Sequence, residues 1–339
     1  MTSGHGKYHV VIARTEEDDG DGAMSGLDGL STFLVQTYEE DEDGNRQRHA
    51  TVERLEEKMG HHASATCAIR FDETPAELIG QRGEGFEKML LMMNNARVAV
   101  GFESLGLCEK AYRLARDYAA QRQSMGKPID QHEMIADYLD EMKTDIQGIR
   151  ALAIHGAYQE EMARKAKMKL ARDSELTDKE REHYEEIEES ATWEARRTTP
   201  LLKFLAAEKA VELARRCVQI HGGVGYTKEY EAEKLVRDAT VMPIYEGTSQ
   251  IQALMGTKDT LTEIMESPQA FLKELAQTRW RSLMAGDERD KKLARVQLAT
   301  LRAKRHLISK TAVEKVKEVS KKPVGDWMQE FFDEWDPKR

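Results

Sequence analysis

Two textures of hydrophobic placement divide the chain. From residue 7 to about 75 the apolar positions fall in short runs, "YHVVIART", "STFLVQTYE", "RHATVERLE" and "ATCAIRFDET", separated by acidic or glycine-containing turns. Short β-rich runs punctuated in this way predict strands of an antiparallel sheet. From about 84 the spacing changes to steps of three and four. Phe86, Met89, Leu90, Met93, Val100, Leu105, Cys108, Tyr112 and Ala115 recur at helical spacing, and 134–166 continues in the same style. The charged stretch "ARDSELTDKEREHYEEIEES" (171–190) predicts a loop and the solvated start of a further helix, with a capping box at Thr177. More amphipathic helices follow after about 258. The pattern predicts an α+β chain: a partial antiparallel β domain over 1–80, a C-terminal four-helix bundle over 81–258, and a helical extension over 259–339. The first strand starts almost at Met1, which would leave a sheet edge open, so the opening part of this sheet is expected elsewhere.

Charge and composition narrow the function classes. The 339 residues carry a net charge of −10 with 33% charged residues, a balance that favours neither a nucleic-acid nor a membrane surface. The basic run "RDKKLARVQLATLRAKRHLISK" has no interleaved aromatics and reads as solvated helix faces. "EEDDGDG" (16–22) and "EEDEDGN" (39–45) read as hairpin tips, because neither has the ligand spacing of a calcium loop. Cys67, Cys108 and Cys217 are far apart, which argues against disulfides and a zinc site and fits a cytoplasmic location. No apolar run is long enough for a membrane span, and no metal site is expected. His132-Glu133 lacks the second histidine of a zinc motif, since Ala136 stands there, and His61-His62 reads as turn polarity.

Three stretches carry candidate chemistry. In "VMPIYEGTSQIQ" (241–252), Glu246 follows an apolar run. It reads either as an acid at a helix start, stabilised by the dipole, or as a general base whose apolar flank raises its pKa toward the working pH. Gly247 would then admit a ligand closely. In "CVQIHGGVGY" (217–226), glycines 222, 223 and 225 interrupt a helical pattern. They form either a helix end with a tight turn, or a bare backbone loop against a phosphate-bearing ligand with Gln219 and His221 as hydrogen-bonding groups. In "QRQSMGKPIDQHE" (121–133), Gly126 predicts a helix stop, and Arg122 either complements the helix end or bridges to a pyrophosphate. An anion-ready arginine, a glycine loop and a desolvated carboxylate in one helical domain suit a large anionic cofactor beside a proton-abstraction site.

With these motifs in place, the sequence resembles the acyl-CoA dehydrogenase family, flavoenzymes that introduce an α,β double bond into acyl-CoA thioesters. "IYEGTSQIQ" is similar to the family's catalytic-base segment, "CVQIHGGVGYTKEYEAEKLVRDA" to its second signature, and "RQSMGKPIDQHEMIADYLDEM" to a third. "EEKMGHHASATCAIRFDE" and "GFEKMLLMMNNARVAVG" resemble the end of the β domain and the start of the bundle. "MMNNAR" and the long tail resemble the larger, C-terminally extended branch. The resemblance implies that Glu246 is the base, that Tyr245 and Gly247 line the thioester end, and that Asn94 and Arg97 contact the CoA side. It also implies FAD contacts at Arg122, Ser124, His132 and Glu133, at Gln219, Ile220, His221, Gly222 and Gly223, and at Thr248 and Gln250. "TSG" (2–4) resembles the tail of a flavin-contacting strand, with Thr2 near the flavin. The implied partners are the acyl-CoA substrate, an electron-transferring flavoprotein and further copies of the chain in a homo-oligomer with FAD at the subunit interface.

The sequence departs from the family pattern at its front. The N-terminal helical domain and the first half of the β domain have no counterpart here, which points to a fragment or to one half of a split enzyme completed by a separate N-terminal-domain chain. Met125 stands where the family usually has Phe, and Asn94 where it often has Asp. Three readings therefore stay open: an FAD-dependent dehydrogenase, an acyl-CoA oxidase, and a non-catalytic fragment or assembly subunit that keeps the motifs by descent.

Overall fold

The computed structural model describes residues 6–15, 29–40 and 42–319, with side chains through Lys310. Thr2 and the acidic stretch 16–22 lie outside the described residues. The chain is α+β, and it divides into two compact units, Met1–Gln252 and Ala253–Arg339.

The described β residues up to Ile79 make three small antiparallel sheets where the sequence pattern predicts one. β1 (Tyr8–Arg14) pairs with β2 (Leu30–Gln36), and β2 pairs with β7 (Ala76–Ile79). β3 (Tyr38–Glu40) and β4 (Arg46–Arg48) form a hairpin, and β5 (Ala50–Leu55) pairs with β6 (Cys67–Phe71) across a bulge between Val52 and Arg54. The break between ladders is centred on Thr37. Its N–H donates to Lys7 O, while its own carbonyl accepts from both His49 and Ala50, so the chain bends there instead of extending one sheet. Residues 39–40 and 42–45, at the end of β3 and before β4, are exposed, as their charge predicts. β7 has no clear signal in the sequence: "AELI" is too short and too acidic to stand out as a strand.

Three long helices make the core of the first unit: α1 (Gly85–Gln121), α2 (Glu133–Arg172) and α3 (Asp178–His221), with the short α4 (Ala232–Ala239) packed on α3 and α1. Their contact surfaces are lined by small residues. Cys108, Ala111, Ala115 and Ala119 follow one face of α1; Ala206, Ala207, Ala210, Ala214 and Cys217 follow one face of α3, and all are fully buried. Small side chains let long helices approach closely, while Met142, Ile146, Ile149 and Leu213 fill the spaces between. Burial pushes the Cys108 and Cys217 thiols up to about 12, so both serve as inert packing groups. Thr177 forms the predicted capping box, accepting from Glu180 N–H while the Glu180 carboxylate accepts from Thr177 N–H.

The junction between α1 and α2 differs from the expectation. Gly126 does not stop the helix, which ends at Gln121. Gly126 and Met125, both at positive φ, form instead the two-residue turn of a small hairpin between β8 (Gln123–Ser124) and β9 (Lys127–Pro128). Two left-handed residues in succession match the twist of a tight hairpin. The second unit holds most of α5 (Ser249–Glu266), with α6 (Pro268–Met284) packed against α7 (Glu288–Val319). Among the described residues no helix is long and apolar enough to cross a membrane.

Helix packing gives two glycines of α1 opposite fates. A Cβ on Gly101 would stand 2.6 Å from Leu202 Cγ, whereas one on Gly106 would meet nothing within 4 Å. Gly101→Ala should therefore lower stability by about 1–3 kcal/mol through overpacking. Gly106→Ala should raise it by up to about 1 kcal/mol through helix propensity alone. Urea denaturation of the two variants checks the opposite signs.

Candidate functional site

The chain leaves α4 and makes a series of tight turns before α5. Met242 N–H donates to Ala239 O, Tyr245 N–H to Val241 O and Ser249 N–H to Pro243 O. Pro243 sits where no N–H is required, and the run ends in two left-handed residues, Glu246 at φ +53° and Gly247 at φ +94°. Glycine adopts that conformation freely, but for glutamate it costs on the order of 1–2 kcal/mol. Glu246 is thus neither in a helix nor at its first residue; it lies in the turn three residues ahead of α5.

What offsets the strain is a grip on two successive carbonyls. Arg97 Nε of α1 donates to Glu246 O at 3.1 Å, and Lys203 Nζ of α3 donates to Gly247 O at 2.7 Å. Gln252 Nε2 reaches both carbonyls, at 3.4 and 3.3 Å. Hydrogen bonds from cations are roughly twice as strong as neutral ones. Arg97 is 3% exposed and Lys203 and Gln252 no more than 1%, so the grip operates away from solvent. Asn94, exposed one turn earlier on α1, accepts from Arg97 Nη1 at 2.9 Å and sets its orientation. The grip itself requires glycine at 247, since a Cβ there would stand 2.5 Å from Gln252 Nε2.

The electrostatics follow from two cations in one dry spot. Burial lowers the Lys203 pKa to about 8, with repulsion from Arg97 adding to it, while Glu208 and Glu246 pull it back up. Burial likewise lowers Arg97, against attraction from Glu246. The half-buried Glu246 carboxylate thus lies within electrostatic reach of both cations. Beside it, Tyr245 O–H donates to Glu103 Oε2 at 2.5 Å and to Met242 sulfur at 3.3 Å. Burial, and then the Glu103 carboxylate, hold this phenol above its ordinary range. Glu103 also lies 3.7 Å from His61, which bonds through its N–H and Nε2 to Asp238, so the loop between β5 and β6 is fastened to the bundle near the site.

The remaining predicted residues gather at another corner of the bundle. Arg122 caps α1, and its exposed guanidinium takes no hydrogen bond or ion pair among the described residues. Ser124 O lies 3.1 Å from His132 Nε2, and Glu133 opens α2 on the exposed side. Gln219 is exposed and Ile220 buried. The His221 side chain turns inward, with Nδ1 2.7 Å from Cys217 O and the ring stacked 4.3 Å from Tyr118. That stacking brings the end of α3 beside the end of α1, and Arg122 with it. Gly222, at φ +66°, and Gly223 are exposed, and a Cβ on either would meet nothing within 4 Å. Thr248 belongs to the first cluster, its Oγ accepting from Ile251 N–H at 3.4 Å at the start of α5, and Gln250 is exposed on the helix's first turn.

Sequence patterns alone do not bring out Lys203 and Gln252. Lys203 does carry a signal in the sequence: it falls on the face of α3 that holds Thr199, Leu202, Ala206 and Ala210, and a lysine on a core face needs an acceptor. Gln252 has none, since its role depends on a turn that only the fold reveals.

The helix bundle thus holds a carboxylate on a cation-gripped turn, with a bare glycine ledge and an uncommitted guanidinium at another corner. The family model for the acyl-CoA dehydrogenase C-terminal domain matches residues 83–172 and 182–261. The 3-methylmercaptopropionyl-CoA dehydrogenase of Ruegeria pomeroyi is 34% identical over 74% of this chain and 41% of its own length. An acyl-CoA dehydrogenase of Bacillus subtilis is 32% identical over 75% of this chain and 57% of its own. Among solved structures, Caenorhabditis elegans ACDH-11 in complex with C11-CoA superposes with a TM-score of 0.69 and 27% identity, covering 92% of this chain and 48% of that one. The chain belongs to the acyl-CoA dehydrogenase family, a family of FAD-dependent flavoproteins. It spans about half the length of the relatives it matches.

The residues present fit part of such a cofactor. The exposed backbone of Gly222 and Gly223 leaves room for a phosphate-bearing group, and Arg122 supplies an uncommitted positive charge. Near Glu246, Ser249 Oγ and Gln252 Oε1 are buried without a hydrogen-bond partner among the described residues, so polar groups remain to be satisfied there.

Lys203 makes stability depend on pH. Its folded pKa of about 8 lies below the roughly 10.4 of an unfolded lysine, so between these values the unfolded chain holds a proton that the folded one has released. Stability contributed by this group therefore rises with pH from about 8 toward 10.4. Urea denaturation of the wild type and Lys203→Met at pH 7.5 and 9.5 should show the difference moving in favour of the wild type at the higher pH.

Proposed function

We propose that this chain carries the catalytic base and one share of the cofactor site of an FAD-dependent acyl-CoA dehydrogenase. The observation that supports the reading most is the gripped turn at Glu246: a strained conformation is maintained at a carboxylate by two buried cations, in the segment that resembles the family's base. An α-proton of a thioester is weakly acidic, so its removal needs a base in a fixed position, sheltered from water, that stays ionised until the proton moves. Glu246 would accept that proton on its carboxylate. Arg97 and Lys203 hold the backbone behind it. Bound FAD would supply the acceptor for the β-hydride. Asn94, outward-facing beside Arg97, and Gly247 are the positions proposed to meet the CoA and thioester end of the substrate, with Tyr245 packed behind them.

The cofactor contacts divide into two sets. Thr248 and Gln250 lie beside the base, whereas Arg122, Ser124, His132, Glu133 and the Gln219–Gly223 loop lie at the far corner. Arg97 and Arg122 are 25 residues apart along α1, which is about 37 Å at 1.5 Å per residue. A dinucleotide is shorter than that span, so one molecule of FAD touching both sets would do so across two copies of the chain. This supports a homo-oligomer in which each base works with a glycine loop from a neighbour. Electrons would leave to an electron-transferring flavoprotein, the partner implied by the family.

Glu246→Gln should reduce washout of α-deuterium from labelled butyryl-CoA by roughly 10²–10⁴-fold while the affinity for the thioester changes little. Washout at the wild-type rate in this variant would contradict the assignment of the base.

A further inference from the structure

Among the described residues, Lys203 is the largest side chain with no exposed surface, and its position has a cost that packing does not explain. An ammonium removed from water loses its hydration, and a methionine would fill the same space without that loss. Its neighbours on α3, Leu202, Ala206 and Ala207, make an ordinary core face. Lys203 takes part in no ion pair among the described residues; its hydrogen bond goes to a single atom, Gly247 O, at 2.7 Å. The charges that face it are Arg97 from α1, Glu208 from its own helix and Glu246 from the turn.

Without Lys203 the Gly247 carbonyl would keep only the long contact from Gln252, at 3.3 Å. The peptide after Gly247 could then rotate, and Glu246 would relieve its backbone strain by leaving the left-handed region. Arg97 holds the preceding carbonyl and cannot prevent that rotation alone, because it fixes one end of the strained pair only. A carboxylate displaced by about 1 Å loses on the order of 10²-fold in reaction rate.

We propose that Lys203 is the positioning residue for the proton transfer: its ammonium fixes the Gly247 carbonyl, and so the left-handed turn that aims the Glu246 carboxylate. The proposal rests on the reading of Glu246 as the base. It makes the positioning depend on charge, since a neutral amine bonds a carbonyl only about half as strongly as an ammonium. The low Lys203 pKa, about 8, brings this loss into an accessible range.

The test compares the FAD-loaded full chain with Lys203→Met, and with Lys203→Gln should the first variant not fold. Three quantities are read: α-deuterium washout from labelled butyryl-CoA, the affinity for butyryl-CoA, and backbone hydrogen exchange in 241–252. The expected result is a washout rate reduced about tenfold or more at pH 7 with affinity within twofold of wild type. The gap between wild type and variant should narrow from pH 7 to 9.5, as the wild type loses its own ammonium. Exchange should rise in 241–252 and stay unchanged in the α2–α3 core. Washout within twofold of wild type, a gap independent of pH, or unchanged exchange in 241–252 would overturn the proposal. Glu246→Gln run alongside separates the two ideas: if it also leaves washout intact, the base assignment has failed, and if it abolishes washout while Lys203→Met does not, only the positioning role has failed. Hydrogen exchange reads the turn directly, whether or not the chain takes up FAD.

Discussion

Two buried cations holding two adjacent carbonyls are the constraint on which the candidate site depends. Arg97 and Lys203 come from α1 and α3, helices that pack along the bundle, and they meet only because the turn after α4 runs between them. A single carbonyl anchor would leave the next peptide free to flip. Two consecutive anchors fix both carbonyl directions, and a left-handed glutamate followed by a left-handed glycine satisfies both. Burial of the cations is unfavourable in itself, and it is offset only while both carbonyls and the Glu246 charge remain in place. Glu246 and its supports are therefore one cooperative unit, in which loss of any member exposes the cost of the others.

The bundle makes this possible by bringing its helices close. The alanine and cysteine faces of α1 and α3 and the bare Gly101 against Leu202 bring the two backbones near enough for Lys203 to reach across to the turn. The same closeness holds the far corner, where Tyr118 and His221 stack and leave Arg122 and the Gly222–Gly223 ledge facing outward. The stiffness of α1 keeps the two corners apart, which is what asks for a second copy in the proposed cofactor site.

Much of this is legible in the sequence, in proportion to how local each feature is. The three-and-four periodicity of α1 and the capping box at Thr177 depend on neighbours within one turn, and both are readable. Glu246 stands out because an acid follows an apolar run. The division of the strands into separate ladders is hidden, since it turns on hydrogen bonds that Thr37 makes to residues 30 and 12 positions away. The hairpin at Met125–Gly126 reads as a helix stop because glycine marks both, and only the pairing of β8 with β9 distinguishes them. Lys203 and Gln252 escape for a deeper reason: their acceptors are carbonyl oxygens, and every residue has one, so no side-chain pattern announces the contact.

The turn at Glu246 stands on a lysine whose charge is held in a dry, cation-rich spot. The most direct measurement is a pH titration of lysine Nζ by nitrogen NMR, with Lys203→Met assigning the signal. A Lys203 midpoint near 8, well below its solvent-exposed neighbours, is the result expected. A midpoint at the ordinary value of roughly 10.4 would contradict the desolvated, cation-crowded ammonium and remove the pH dependence assigned to it.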